Sequence, residues 1–354
     1  MVVLGRTEAS GATGRLGSYR ARDGSDGAPV SMDVERPHAG LVVGKRGYGK
    51  SYTLGVLAEE LARTTGVAPV VVDPLGVFET LGSTGGNAAV EATVVREPSV
   101  RPSALTPRSW CAVVGLAPDE GPGALLWQAT TATETLAGMR AFVEGADADP
   151  AVRRAAANHL TLAESWSVFG TDGLVASDLS TDGATVLDLS GLAPAPANAV
   201  VRAVADVLYD HRVTTADGRL PWLLVDEAQM FFDGVAGPGL RRLLTRGRQP
   251  GVSLVVATQR PSALPAVAIS QSDLLFAHRL TSRRDVDALA AARPTYMADP
   301  FEERLPTRQG EAIVVDDATE SVHSVRIRER ETPHGGGSPR ASQYRERARP
   351  SSES

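Results

Sequence analysis

The chain has 354 residues, 42% apolar and 22% charged, enough for one enlarged domain or two with a sizeable core. No apolar run approaches the ~20 residues that a membrane-spanning helix needs, and one cysteine, Cys111, excludes an intrachain disulfide and a multi-cysteine metal site. A net charge of −6 argues against nucleic-acid binding by bulk basicity.

The N-terminus lacks the long apolar segment of a secretory signal, so a cytoplasmic protein is expected. Residues 1–36 read as a short N-terminal β segment. Gly17–Arg22 and Ala28–Val34 are placed to pair as a hairpin across a glycine-rich turn. The apolar run Ala39-Gly40-Leu41-Val42-Val43 then leads into glycines and a segment with Leu54, Leu57 and Leu61 at helical spacing. Gly66 is placed as its cap, and a buried-type strand follows at Pro69–Asp73. Strand, loop, helix and strand in that order predict a parallel α/β sheet.

Residues 79–180 read as a partly helical insertion. Strands are expected near Thr93–Val95 and Cys111–Val114, and helices over Ala124–Val143 and Pro150–Trp166. Alternation resumes with strands at Thr185–Leu189, Leu223–Val225, Ser253–Ala257 and Leu274–Ala277, with a helix through Val200, Val204 and Leu208. Glu311–Val315 and Val322–Ile327 form a terminal β-pair. From Glu331 the composition is Gly-, Pro-, Ser- and Arg-rich, which predicts a disordered tail over 331–354. The core domain would thus span 37–330.

Chemistry concentrates at three strand ends. Gly44-Lys45-Arg46-Gly47-Tyr48-Gly49-Lys50-Ser51 fits the phosphate-binding pattern G-x-x-x-x-G-K-[ST]. Glycines let backbone N–H groups converge on a phosphate, and the helix that follows, through Tyr52, adds its positive end. Lys50 is placed to reach β- and γ-phosphates and the Ser51 hydroxyl to ligate Mg²⁺. Leu223-Leu224-Val225-Asp226-Glu227 ends a strand in two carboxylates. Asp226 suits the Mg²⁺ shell, and Glu227 suits polarisation of an attacking water. Ala257-Thr258-Gln259 delivers Gln259, a donor and acceptor able to sense a γ-phosphate.

Together with Arg260-Pro261-Ser262, these elements resemble the HerA/FtsK superfamily of P-loop ATPases, nearest in type to soluble HerA proteins. His38, Asp73-Pro74-Leu75-Gly76, Val186–Ser190, Ile269–Asp273 and Phe276–Leu280 add to the likeness. The resemblance implies a RecA-like P-loop core with a parallel-dominated sheet, ATP and Mg²⁺ as cofactors, and a homo-hexameric ring. It further implies double-stranded DNA as the substrate of a translocase or helicase, and a nuclease as a possible partner. An arginine supplied by the neighbouring subunit is implied as well; Arg246 and Arg248 are the candidates, with Arg279 second. Two departures stand out. Only 36 residues precede the core where the family carries a β-barrel, and Val77 stands where the family segment has glutamate. The alternative reading is a protein-remodelling or assembly ATPase that binds no DNA.

Charge distribution bears on that choice. From Arg241 to Arg284 there are eight arginines against one acidic residue, Asp273, which predicts a basic surface beside the Gln259 strand. The chain's two lysines, Lys45 and Lys50, both lie in the glycine-rich loop. His159, His211 and His323 lack metal-ligand spacing, and Trp110, Trp127 and Trp166 read as packing residues.

Overall fold

The computed structural model describes residues 2–335 apart from 9, 22, 83–89, 216–217, 293–294 and 298. The expected tail from residue 336 onward lies outside the described residues. Near-continuous apolar runs, which suit strands buried on both faces, build a single twelve-stranded sheet.

The N-terminal strands are β1 (Val2–Leu4), β2 (Thr13–Arg20) and β3 (Asp26–Asp33). The loop strand β4 (Ala39–Val43) feeds α1 (Lys50–Arg63), and β5 (Val67–Asp73) and β6 (Ala92–Val95) follow. The helical insertion comprises α2 (Pro107–Val113), α3 (Gly121–Ala132), α4 (Leu136–Gly145) and α5 (Pro150–Ser165). Then come β7 (Ala184–Asp188), α6 (Pro194–Thr214), β8 (Leu220–Val225), α7 (Gln229–Phe232) and α8 (Gly237–Arg246). The chain continues through β9 (Ser253–Thr258), α9 (Ala266–Ser270), β10 (Leu274–Ala277) and α10 (Arg283–Ala291). It closes with α11 (Phe301–Arg304), β11 (Glu311–Asp316) and β12 (Ser321–Ile327).

Strand order is β1-β3-β2-β12-β11-β10-β4-β9-β8-β5-β7-β6. From β10 to β6 every pairing is parallel, and the β11, β12, β2 and β3 side is antiparallel. The expected hairpin forms as β2 with β3, but it joins the main sheet through β12. Alternate strand residues divide the core. Leu41, Val43, Leu223 and Val225 face the insertion, α6 and α8. Val42, Leu224 and Val71 face α1 with Leu54, Leu57 and Leu61. The helix is capped at Thr64, and Gly66 follows with φ +90, a left-handed turn that suits glycine.

Two expectations in the insertion are corrected. Cys111–Val114 is not a strand, because α2 runs through Val113 and Val114 is its cap. Thr106 caps that helix by accepting from the Ser109 N–H (3.2 Å), Pro107 sits in its first turn, and Trp110 packs on Phe169 with ring centroids 4.5 Å apart. The long helix over Ala124–Val143 is two helices, because Thr135 accepts from the Gly138 N–H and starts α4 afresh. Residues 331–335, expected to be disordered, are packed against α1 instead. Residues 328–335 form an irregular strap across α1, with Thr332 buried and Glu331 and Thr332 donating to Glu59.

Candidate active site at the strand ends

The glycine-rich loop sits between β4 and α1 on a floor supplied by the end of β10. The His278 N–H donates to the Val43 carbonyl and the Lys45 N–H to the Arg279 carbonyl, both at 2.8 Å. Gly47 and Gly49 adopt φ of +80 and +117. At Gly44 a side-chain carbon would lie 2.6 Å from the His278 Cβ, so the close approach itself requires glycine.

His278 is fully buried, and burial pushes its imidazole down to about 4, with Lys50 nearby acting in the same direction. Its Nδ1 lies 2.8 Å from the Glu311 carbonyl oxygen, which can only accept, so Nδ1 carries the proton. Nε2 is then left to accept from the Thr53 hydroxyl at 2.9 Å. A neutral histidine therefore ties the loop helix to β11.

Lys50 is 5% exposed. Burial lowers its pKa, while Glu227 and Asp226 favour its charge. Asp226 ends β8 fully buried and accepts from the Ser51 hydroxyl at 2.6 Å. Burial is the main cause that raises its pKa to about 6, opposed by the Ser51 hydrogen bond. Glu227 has φ +46, a left-handed backbone for a residue with a side chain, which costs about 1–3 kcal/mol. Its carboxylate accepts from Gln229 Nε2 (2.5 Å) and Gln259 Nε2 (3.0 Å). Gln229 Oε1 in turn accepts from the Thr258 hydroxyl at 2.6 Å. The strained turn thus aims Glu227 at the end of β9, and two amides fix it there.

Behind these groups Asp73 is buried at the end of β5, accepting from the Leu75 and Phe78 N–H groups. Burial raises its pKa, with those backbone hydrogen bonds opposing. One end of the parallel strands therefore collects a lysine, a hydroxyl, paired carboxylates and a glutamine around a loop of convergent backbone. A chemistry of phosphoryl transfer to water needs these group types.

The family model described as "Helicase HerA, central domain" matches residues 15–143. The "DNA double-strand break repair helicase HerA" of Pyrococcus furiosus is 30% identical over 129 residues, which is 34% of this chain and 23% of that protein. Among solved structures, VirB4 of Thermoanaerobacter pseudethanolicus superposes with a TM-score of 0.69 at 17% identity, covering 92% of this chain and 98% of that one. The plasmid coupling protein TrwB, in complex with the non-hydrolysable GTP analogue GDPNP, superposes at 0.54 and 17% identity over 94% and 98%. Residues 15–143 thus resemble the HerA central domain, and the chain as a whole shares the P-loop ATPase fold of VirB4 and TrwB.

The structure brings Gly44–Ser51, Asp226, Glu227 and Gln259 together at one end of the parallel strands. Lys45 and Arg46 lie on the outer side of the loop, with Lys45 Nζ 4.5 Å from the centre of the Tyr48 ring. Tyr52, one residue past the loop, turns toward the strap at residues 328–335, where its hydroxyl accepts from the Arg330 N–H at 2.6 Å. Arg246 and Arg248 are exposed beyond the start of β9, beside Tyr209, and are not brought to the loop. At ~3.3 Å per residue the six residues of β9 put ~20 Å between them and Gln259. Arg279 stands beside its own chain's loop, its guanidinium 5.6 Å from the Tyr48 ring centre and donating to the Thr307 carbonyl.

Two arginines of the 241–284 stretch have acidic partners. Arg242 is paired with Asp206 and Asp210, and Arg283 with Asp287 and Glu302. Sequence reasoning missed Gln229 and the role of His278. The run Asp226-Glu227-Ala228-Gln229 holds the first, two residues past the strained turn. Nothing local marks the second as a partner of Thr53.

Proposed function

We propose that this chain is a HerA/FtsK-type P-loop ATPase, an Mg²⁺-dependent motor that hydrolyses ATP and, assembled as a homo-hexameric ring, translocates on double-stranded DNA. The observation that carries the reading is the convergence of Ser51–Asp226 and Glu227–Gln259 on the loop that bears Lys50. In it the loop N–H groups and Lys50 hold the phosphates, and Glu227 takes the proton from the attacking water. Gln259 and Gln229 keep the Glu227 carboxylate oriented.

Mg²⁺ is held by one or two carboxylates together with phosphates, not by an all-protein cage. The hydroxyl and buried carboxylate of Ser51 and Asp226 are a donor set of that kind. When bound, the ion supplies neutralisation of charge between the β- and γ-phosphates. Arg246 and Arg248, remote from the loop of their own chain, serve in this reading as the arginines offered to the neighbouring subunit. The similarity of part of the chain to HerA, named a DNA double-strand break repair helicase, supports a motor acting on DNA, and VirB4 and TrwB support the fold. A nuclease partner belongs to the same reading.

The alternative, a protein-remodelling ATPase, is favoured by one observation: Arg242 and Arg283 already have carboxylate partners. The test is ATP turnover with and without linear duplex DNA, on protein of measured mass in solution. Stimulation by duplex and a steep loss of binding with salt are expected, because phosphate contacts release counterions. Turnover with no duplex binding at low salt would leave the remodelling reading standing. No turnover from a folded oligomer would overturn both.

A further inference from the structure

The strap of residues 328–335 is anchored by a buried carboxylate. Glu59 accepts from the Thr332 N–H (2.9 Å), the Thr332 hydroxyl (2.6 Å) and the Glu331 N–H (3.1 Å), and lies 2.8 Å from Arg328 Nη1. Tyr52, Gly55 and Glu59 share a face of α1 by their spacing of three and four. Arg330, 1% exposed at its side chain, covers Gly55, where a side-chain carbon would meet its guanidinium at 2.7 Å. From there the strap runs toward the start of α1. The His334 ring meets the Tyr52 ring edge-on at 5.4 Å, and a side-chain carbon at Gly335 would lie 3.0 Å from the Val77 carbonyl oxygen.

That direction matters because of where a nucleotide ends. A loop of this pattern holds the β- and γ-phosphates at its lysine and the α-phosphate nearer the first turn of the helix. The nucleoside therefore leaves past Ser51, and Tyr52 is the next residue. Tyr52 is half-buried and His334 exposed, so ring surface remains open there. Burial, and next to it Arg330, lowers the His334 pKa, so the ring is neutral at pH 7.

We propose that the strap forms the nucleobase wall of the site, with Tyr52 and His334 contacting the base of a bound nucleoside triphosphate. The inference rests on the loop being the phosphate site of the reading above.

Calorimetric titration with ATP and, separately, with inorganic triphosphate distinguishes base contacts from phosphate contacts. In the full chain, His334→Ala should weaken ATP roughly fivefold or more, the lower range of aromatic–base stacking. It should leave inorganic triphosphate unchanged, and His334→Phe, which keeps a ring, should restore ATP affinity. Equal weakening of both ligands would mean that the strap acts only by holding α1, and would overturn the proposal. So would unchanged ATP affinity in His334→Ala. If the wild-type protein binds neither ligand, the phosphate-site reading falls first and the base wall with it. Tight triphosphate binding without preference for ATP overturns the base wall alone.

Discussion

His38, at the entrance to β4, sits between two carboxylates. Its Nδ1 is 2.9 Å from Asp273 Oδ2 and its Nε2 is 3.5 Å from Asp33 Oδ2, with Arg6 on the other side of Asp33. Burial alone would lower its pKa, but hydrogen bonds and charge from Asp273 and Asp33 raise it from 6.5 to about 9. A group raised in the folded state stabilises fully below its unfolded pKa, and the gain is lost as pH rises through the folded value. The window is therefore pH 6.5 to about 9. At about 1.36 kcal/mol per pH unit the rise corresponds to about 3 kcal/mol for this nearly buried group. Urea unfolding of the wild type and of His38→Gln, repeated at pH 6 and pH 9.5, isolates this contribution from every other titration. The difference between the two proteins should shrink by about 3 kcal/mol at the higher pH. A difference independent of pH would refute the reasoning, because an imidazole that stays neutral throughout has no such linkage.

Glu59→Ala takes from the buried Arg330 its carboxylate partner, leaves Arg328 to Glu60 and Glu331, and removes the acceptor of three hydrogen bonds. Breaking a buried pair of this kind should cost about 3–5 kcal/mol in denaturant unfolding, and a loss below about 1 kcal/mol would show the strap to be loosely held. Glu227→Gln keeps shape and should still bind Mg-ATP, while single-turnover hydrolysis slows by about a hundredfold or more. Equal rates would assign water activation to another residue. Mixing Glu227→Gln subunits with Arg246→Ala/Arg248→Ala subunits should restore turnover, since mixed interfaces reunite an intact Glu227 with a donated arginine. Silence despite demonstrated co-assembly would count against both arginines.

Much of the site was legible because its chemistry lies within one or two residues of apolar strand ends. Leu223–Val225 names its own strand, and Asp226 and Glu227 follow at once; the same holds for Val255–Ala257 and Gln259. What escaped depends on chain segments that meet only in three dimensions. Thr53 finds His278 across 225 residues and Glu59 finds Thr332 across 273, with no periodicity to announce either pairing. The partners of Arg242 and Arg283 were hidden for the same reason, since Asp206, Asp210 and Glu302 come from outside the arginine-rich stretch. In the insertion, four apolar residues at 111–114 satisfy a strand or a buried helix equally. Thr106 and Pro107 at the helix start decided between them.

The placement of the groups also restricts how subunits can complete a site. The loop, Asp73, Asp226 and Gln259 occupy the carboxyl ends of the parallel strands, where ligands of such sheets bind. Arg246 and Arg248 precede β9 and so stand at the opposite, amino end. No closure within one chain brings the two together without dismantling the sheet. A two-fold dimer presents identical patches to one another, so pairing carboxyl ends would leave both arginine pairs remote, and pairing amino ends would leave both loops open. Only a head-to-tail contact sets the amino end of one subunit against the carboxyl end of the next. Repeated, such a contact generates either a closed ring or an open filament. If either arginine acts on a neighbour's nucleotide, the interface must therefore be of this kind. A strictly two-fold assembly with full turnover would exclude the arginines from the chemistry.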